Sequence, residues 1–468
     1  MKKLFAIALI VVALVLLVPG VIGYQAEARY QELVDELAGA GFQVTDNQYR
    51  RGWFGAEAVT EFRLLAPLAV DAGATVPEAI RFVVRSQVSH GPLTSQGVGL
   101  AEIDSIIEVD GEPLLGDNPA APIITMIAID GTGHTRIQIA ERELVQQPDE
   151  PAVRFLGMTG SIDFDLEAEK ARFRFQSPGI RVQRDDRVLV EVTAISLDSQ
   201  TWRGQSGLML GKGQFSVDRI VANDPDLGDE VELQGLMLQA DSSEGGERSD
   251  LVTVAVEYHL KSLKLQGQEY TDGLLRLELD RLYAPVLVQI QKTTEQIQSQ
   301  QLSEAETGLA MMSLLMNRAP DLLKRNPSIT LQPIRLTTPS GLAEAGLSLQ
   351  SRGLTMADFS NQQALLHKIE AKASLRLPET LFQRFLLQQN RVQLEQQLVA
   401  SQQPQGEEPE EVDQENLNEM AVRITDEQLK QWLEQGLVRR EGTDITTQVT
   451  LAGGRLTVNG KEIPLPGR

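Results

Sequence analysis

The sequence predicts an α+β protein: a single N-terminal transmembrane helix followed by a large, mostly antiparallel, twisted β-sheet with helical hairpins packed on it. Three observations carry this. Residues 4–23 (LFAIALIVVALVLLVPGVIG) hold no charge; from about residue 60 to 282 short runs alternate apolar and polar between Gly, Pro, Asp and Asn; and residues 283–325 and 378–440 switch to helical spacing.

The apolar run comes first. At 1.5 Å rise per residue it reaches about 30 Å, the thickness of a bilayer's hydrocarbon core. Lys2 and Lys3 precede it, which keeps the amino terminus in the cytoplasm and exports everything after Gly23. Ala26-Glu27-Ala28 has the small-x-small form of a cleavage site. The run is nevertheless longer than the 7–15 apolar residues of a typical signal peptide, so an uncleaved anchor is expected. Residues 24–48 continue as a membrane-proximal helix, with Ala26, Tyr30, Leu33, Val34 and Leu37 at helical spacing.

Residues 49–282 read as antiparallel β. In 251–260 the alternation is clearest, with Val252, Val254, Val256, Tyr258 and Leu260 on one face. A helical hairpin is predicted over 283–325, its halves joined near Gln301-Leu302-Ser303, where Ser303 and Glu306 have capping-box spacing. Strands return over 326–377, helices over 378–440 with an acidic linker at 402–414, and a closing β-hairpin over 441–468 with Asn459-Gly460 as a two-residue turn.

One hairpin reads residue by residue. A turn at Ala168-Glu169 would set Asp163 against Arg174, Asp165 against Arg172 and Phe164 against Phe173, giving one charge-complementary face and one apolar face. Ala-Glu lacks the Gly or Asn that a two-residue turn prefers. Asp163 and Asp165 as paired catalytic carboxylates are the alternative; a solvated sheet face explains both.

Composition removes several classes. The 468 residues are 42% hydrophobic, enough for one large domain or two to three smaller ones. There is no cysteine, hence no disulfide, thiol nucleophile or thiolate metal site, which suits a bacterial periplasm. The net charge of −22, unbroken by a basic cluster, argues against nucleic acid and anionic headgroups as partners. His90, His134, His259 and His367 are scattered without metal spacing; Gly211-Lys212 and Gly460-Lys461 lack the rest of a P-loop; Gly204-Gln-Ser-Gly is not a nucleophile elbow. No cofactor, metal or catalytic residue is expected.

Three short segments stand outside this reading: Tyr49-Arg-Arg-Gly52-Trp53-Phe54-Gly-Ala, Ser89-His90-Gly91-Pro92-Leu, and Gly454-Arg-Leu-Thr-Val-Asn459-Gly460-Lys-Glu-Ile-Pro-Leu. With the apolar amino terminus, their order and spacing over nearly the whole chain resemble the YdgA-like family of bacterial envelope proteins. The resemblance implies an inner-membrane, periplasm-facing protein and no particular activity. Gly55-Ala56 stands where that pattern has one or two serines. Physically, Trp53 and Phe54 are expected to be buried as an apolar pair, the alternative being an interfacial anchor beside Arg50 and Arg51. Gly91 and Pro92 should end a strand sharply beside His90.

Met311, Met312, Leu315 and Met316 form the candidate apolar groove of the helical hairpin, with core packing as the bland alternative. The expected function is non-catalytic: an envelope protein held in the inner membrane through residues 4–23 that binds lipid or an envelope protein. A long sheet around an apolar groove, as in AsmA-like proteins, is an analogy of fold alone. Two alternatives are a scaffold that forms homo-oligomers through Gln-rich helices (289–301 and 388–403) and a periplasmic hydrolase of unrecognised type around His90.

Overall fold

The computed structural model describes residues 42–64, 80–109, 112–113, 123–145, 152–165, 167–184, 187–223, 230–245, 250–299, 304–402 and 414–464, with Glu27, Tyr30, Gln31 and Val34. They form mostly antiparallel β-sheet with a few helices. The chain divides into two compact units.

In the first unit the strands are β1 (Phe42–Arg51), β2 (Gly55–Leu64), β3 (Ile80–His90), β4 (Ala101–Val109), β5 (Ile123–Ile127), β6 (Thr132–Ile139), β7 (Met158–Asp165), β8 (Lys170–Arg184), β9 (Arg187–Arg203) and β10 (Met209–Asn223). Each pairs antiparallel with the next. One cross-strand row runs Arg51, Ala56, Val88, Ile103, Thr125, Thr135, Ile162, Phe173, Ser199, Gly213. Between β6 and β7 the short strands Arg142–Val145 and Ala152–Phe155 pair with each other, and the second also pairs with β8.

Four helical residues, Glu27, Tyr30, Gln31 and Val34, share the i, i+3, i+4, i+7 spacing of one helix face. Tyr30 and Val34 are buried against Ala56, Ala58, Val88, Leu100, Ala101, Ile103 and Ile127. The three alanines let the helix approach the sheet closely. A polar chain fixes its position: the Tyr30 hydroxyl donates to Thr60 Oγ1 (2.7 Å), Thr60 to Asn47 Oδ1 (3.0 Å), and Asn47 Nδ2 to Gln31 Oε1 (2.8 Å). Thr60 is fully buried, so this chain is what satisfies it.

Next come β11 (Glu230–Glu244), whose first part belongs to the second unit, and β12 (Leu251–Leu265), β13 (Gln268–Tyr283), β14 (Ser328–Thr338), β15 (Gly341–Ser351), β16 (Ile369–Pro378), β17 (Asp444–Ala452), β18 (Arg455–Val458) and β19 (Lys461–Ile463). From β12 to β19 successive strands again pair antiparallel. The helices are α1 (Ala284–Ser299), α2 (Glu304–Leu323), α3 (Gln362–Lys368), α4 (Glu379–Gln402) and α5 (Gln414–Gln435). In the second unit Phe382 and Leu386 of α4 and Leu429 of α5 close over Val438 and Ile445, with Leu375, Leu377, Trp432 and Leu433 packed around them.

Several expectations need correction. The β region begins at Phe42, not at residue 49, so Tyr49 is a strand residue. A 3-10 turn (Met356–Ser360) and α3 interrupt the 326–377 β region. A short strand, Arg439–Glu441, pairs with β17 inside the predicted helical segment, and the closing hairpin is a three-strand meander. The 163–174 hairpin is shifted by one residue pair: Asp163 faces Arg172, Asp165 faces Lys170 and Ile162 faces Phe173. An even shift preserves both faces. The longer connection removes the misfit at Ala168-Glu169, because Asp165 Oδ1 accepts the amides of Glu167 (3.1 Å) and Ala168 (2.9 Å), and Glu169 takes the left-handed conformation at φ 45°.

Among the described residues no helix is long and apolar enough to cross a membrane. The predicted anchor (4–23), the cleavage-site reading, the Ser303 cap and most of the acidic linker lie outside the described residues.

Candidate functional site

Strand alternation in the second unit separates two chemistries. One face of the sheet is laced with ion pairs: Arg276 to Glu257 and Glu278 (3.3 and 3.0 Å), Arg335 to Glu344 (2.9 Å), Arg376 to Asp444 (2.7 Å). The other is apolar along two adjacent rows. One row runs Val256, Leu277, Leu331, Leu347, Ala373, Val449, Val458, and the next runs Val254, Leu279, Ile329, Leu349, Ala371, Leu451, Leu456.

The α4–α5 pair covers one end of this face, at Leu375, Leu377 and Ile445. Beyond it, Tyr258, Ile329 and Leu347 remain 46%, 43% and 42% exposed. The face also steps down at β16, where Ala371 and Ala373 lie between Leu349 and Leu347 on one side and Leu451 and Val449 on the other. At about 4.8 Å between strands, the larger side chains on β15 and β17 stand on the order of 10 Å apart over an alanine floor. The result is an apolar groove along β16. The first unit has a comparable row, Phe175, Leu197 and Phe215, each half-buried.

The segments singled out in sequence build the turn end of the first unit. Gly52 N–H donates to Gly55 O (2.7 Å) and closes the β1–β2 turn; His90 N–H reaches Phe54 O (2.9 Å), and Gly91 N–H reaches Leu100 O (2.7 Å). Gly91 is required for space, since a Cβ there would lie 1.8 Å from Gly99 O. Pro92 follows through a cis peptide bond. The expected burial of Trp53 and Phe54 is overturned: they are 55% and 58% exposed, because the tight turn projects both beyond the last paired residues. The Tyr49 ring lies 5.4 Å from the Tyr30 ring, tilted 45° to it, and burial followed by the Glu27 charge pushes its hydroxyl pKa up to about 12.

His90 is buried, its Nδ1 donating weakly to the Trp53 carbonyl at 3.4 Å and its Nε2 without a partner. Burial, the largest cause, holds its pKa below the ordinary value; the Trp53 carbonyl opposes this and the Arg51 charge adds to it. The unfolded chain therefore binds a proton near pH 6.5 that the folded chain resists, so this contribution to stability is present above that pH and lost as pH falls below it. His90→Leu should flatten the fall in melting temperature between pH 7 and 5; an unchanged slope would remove His90 as its source.

Asn459 and Gly460 are structural. Both have positive φ (52° and 82°) in a two-residue turn, and the Asn459 amide donates to Gly436 O (3.0 Å) and Leu437 O (3.1 Å), tying the end of α5 to the sheet. In the helical hairpin Met312 and Met316 are 62% and 56% exposed and Met311 is half-buried, so the core reading fails for Met312 and Met316; the Leu315 side chain lies outside the described residues.

On the polar face of the first unit, His134 Nδ1 bonds Asp163 Oδ1 at 2.7 Å and Arg174 pairs with the same carboxylate. The His134 hydrogen bond, then Arg174, holds Asp163 below the usual carboxylate range. His134 and Asp163 border an open concavity of about 490 Å³ with Thr132, Arg172 and Gln200. Among the described residues no hydroxyl is hydrogen-bonded to the second nitrogen of His134. Among them too, no His, Asp and Glu cluster could hold a metal ion.

The chain belongs to a bacterial family of unknown function, described as "Bacterial protein of unknown function (DUF945)", whose model matches residues 1–466. No curated protein and no solved structure matches it.

Proposed function

We propose that this is a bacterial envelope protein of the YdgA-like kind, held in the inner membrane by residues 4–23 with the rest of the chain in the periplasm, and that the apolar groove along β16 seats a lipid acyl chain. The observation that carries this reading is the apolar face of β12 to β18 with Tyr258, Ile329 and Leu347 nearly half exposed. Exposed apolar surface of that continuity is costly in water and marks a binding surface. Strands about 4.8 Å apart make the whole apolar face, in which the groove lies, on the order of 29 Å across. The ion-paired opposite face is the one suited to water.

A second reading, self-association through the Gln-rich helices, is favoured by Phe385 of α4 (62% exposed) and Val422 of α5 (45% exposed). Mass spectrometry of lipid extracted from the purified full chain separates the two. The Ile329→Gln/Leu347→Gln variant should lose co-purified lipid by about tenfold or more, because a bound chain would bury each amide at ~1–3 kcal/mol. Its melting temperature should stay within a few degrees, since both side chains are half exposed. Equal lipid content in the variant would remove the groove, and lipid-free protein that is dimeric or larger would favour the scaffold.

A further inference from the structure

We infer that the turn end of the first unit is a second membrane contact, in which Trp53, Phe54, Leu93, Val98 and Ile129 enter the headgroup region of the bilayer that holds residues 4–23. This rests on the anchor reading above.

The strand register places the three turns that carry these residues, β1–β2, β3–β4 and β5–β6, at one end of the sheet. All five side chains are more than half exposed, Leu93, Val98 and Ile129 by 74%, 69% and 68%. The turns are tied to one another. Leu100 N–H donates to Ile127 O (2.7 Å), Gly99 N–H to Pro92 O (3.0 Å), and Ala128 N–H to Thr132 O (2.8 Å). Beneath the small hairpin, the buried Glu102 carboxylate accepts Ser95 Oγ (2.5 Å) and Gln96 N–H (3.2 Å). The apolar side chains are thus carried outward on turns whose backbone is tied by these hydrogen bonds.

The occupant follows from where the apolar run ends. Only Tyr24, Gln25 and Ala26 separate Gly23 from Glu27, and four chain steps span at most about 14 Å. Glu27 pairs with Arg51 at 3.1 Å, and Trp53 lies two residues beyond Arg51 in the same turn. A segment embedded in the bilayer therefore brings this end of the sheet to the lipid surface. Trp and Phe with adjacent Arg50 and Arg51 have the composition of an interfacial belt. The overall charge of −22 disfavours attraction to anionic lipid, so the contact is an apolar one that does not depend on electrostatic attraction and survives high salt.

The chain has no cysteine, so single cysteines can be labelled without background. Leu93→Cys, Val98→Cys and Ile129→Cys, each carrying a fluorophore in the full chain in phosphatidylcholine nanodiscs, should be quenched severalfold more by a phospholipid with a headgroup-region nitroxide than Gln138→Cys, an exposed residue toward the other end of β6. The excess should persist at 0.5 M salt (~3–4 Å screening length). Quenching no greater than at Gln138 overturns the contact, and protection from an aqueous quencher without lipid quenching does so in favour of a protein partner. Full-length chain that stays out of the nanodiscs overturns the anchor reading and this one with it.

Discussion

Gly91→Ala is expected to lower the melting temperature of the first unit by on the order of 10 °C. The new methyl would sit 1.8 Å from Gly99 O and 3.0 Å from Leu100 O. Leu100 O accepts Gly91 N–H and the Gly99 backbone is tied through its N–H to Pro92 O, so making room strains or breaks one of these bonds. Overpacking of this kind costs about 1–3 kcal/mol, and each backbone hydrogen bond lost adds roughly 1 kcal/mol. For units of this size 1 kcal/mol moves the midpoint by about 2–4 °C. A shift below 2 °C by circular dichroism would mean that the turn is not closed in this way.

Leu386→Ala should be comparably damaging in the second unit. Leu386 is 2% exposed at the centre of the α4–α5 contact, packed with Phe382, Leu429, Val438 and Ile445. Truncating a buried leucine costs about 2–5 kcal/mol, the spread reflecting how far the cavity collapses. Calorimetry should show a loss of about 5–15 °C. This contrasts with the mild effect expected at Ile329 and Leu347, and the contrast separates closed core from open groove. Equal damage at all three positions would mean that Ile329 and Leu347 are core as well.

Much of the sheet was legible. Period-two alternation placed Val252, Val254 and Val256 on one face, and Asn459-Gly460 announced its turn. What alternation cannot report is whether anything covers a face. The same pattern precedes the covered Leu375 and the half-open Leu347, and the difference is made by α4 and α5, distant in sequence. Register was missed at 163–174 because the Asp165 side chain supplies the turn amides, a contact with no periodic signature. Trp53 and Phe54 were expected inside on hydrophobicity alone; the two-residue reach from Gly52 to Gly55 leaves them nowhere to fold back. The alanine floor, Ala371 and Ala373, carried a signal that size alternation between neighbouring strands would have revealed, but only once their partners were known.

Ala373 and Lys372 are adjacent in sequence and lie on opposite faces of β16, the first on the groove floor and the second exposed beside the ion pairs. A fluorophore on Ala373→Cys or Lys372→Cys, in detergent-solubilised full chain titrated with a phospholipid bearing a nitroxide on its acyl chain, therefore reads the groove directly. Strong, saturable quenching at position 373 with little at 372 is the expected result. Equal quenching at the two positions, or none at 373, would contradict a lipid seat on this sheet.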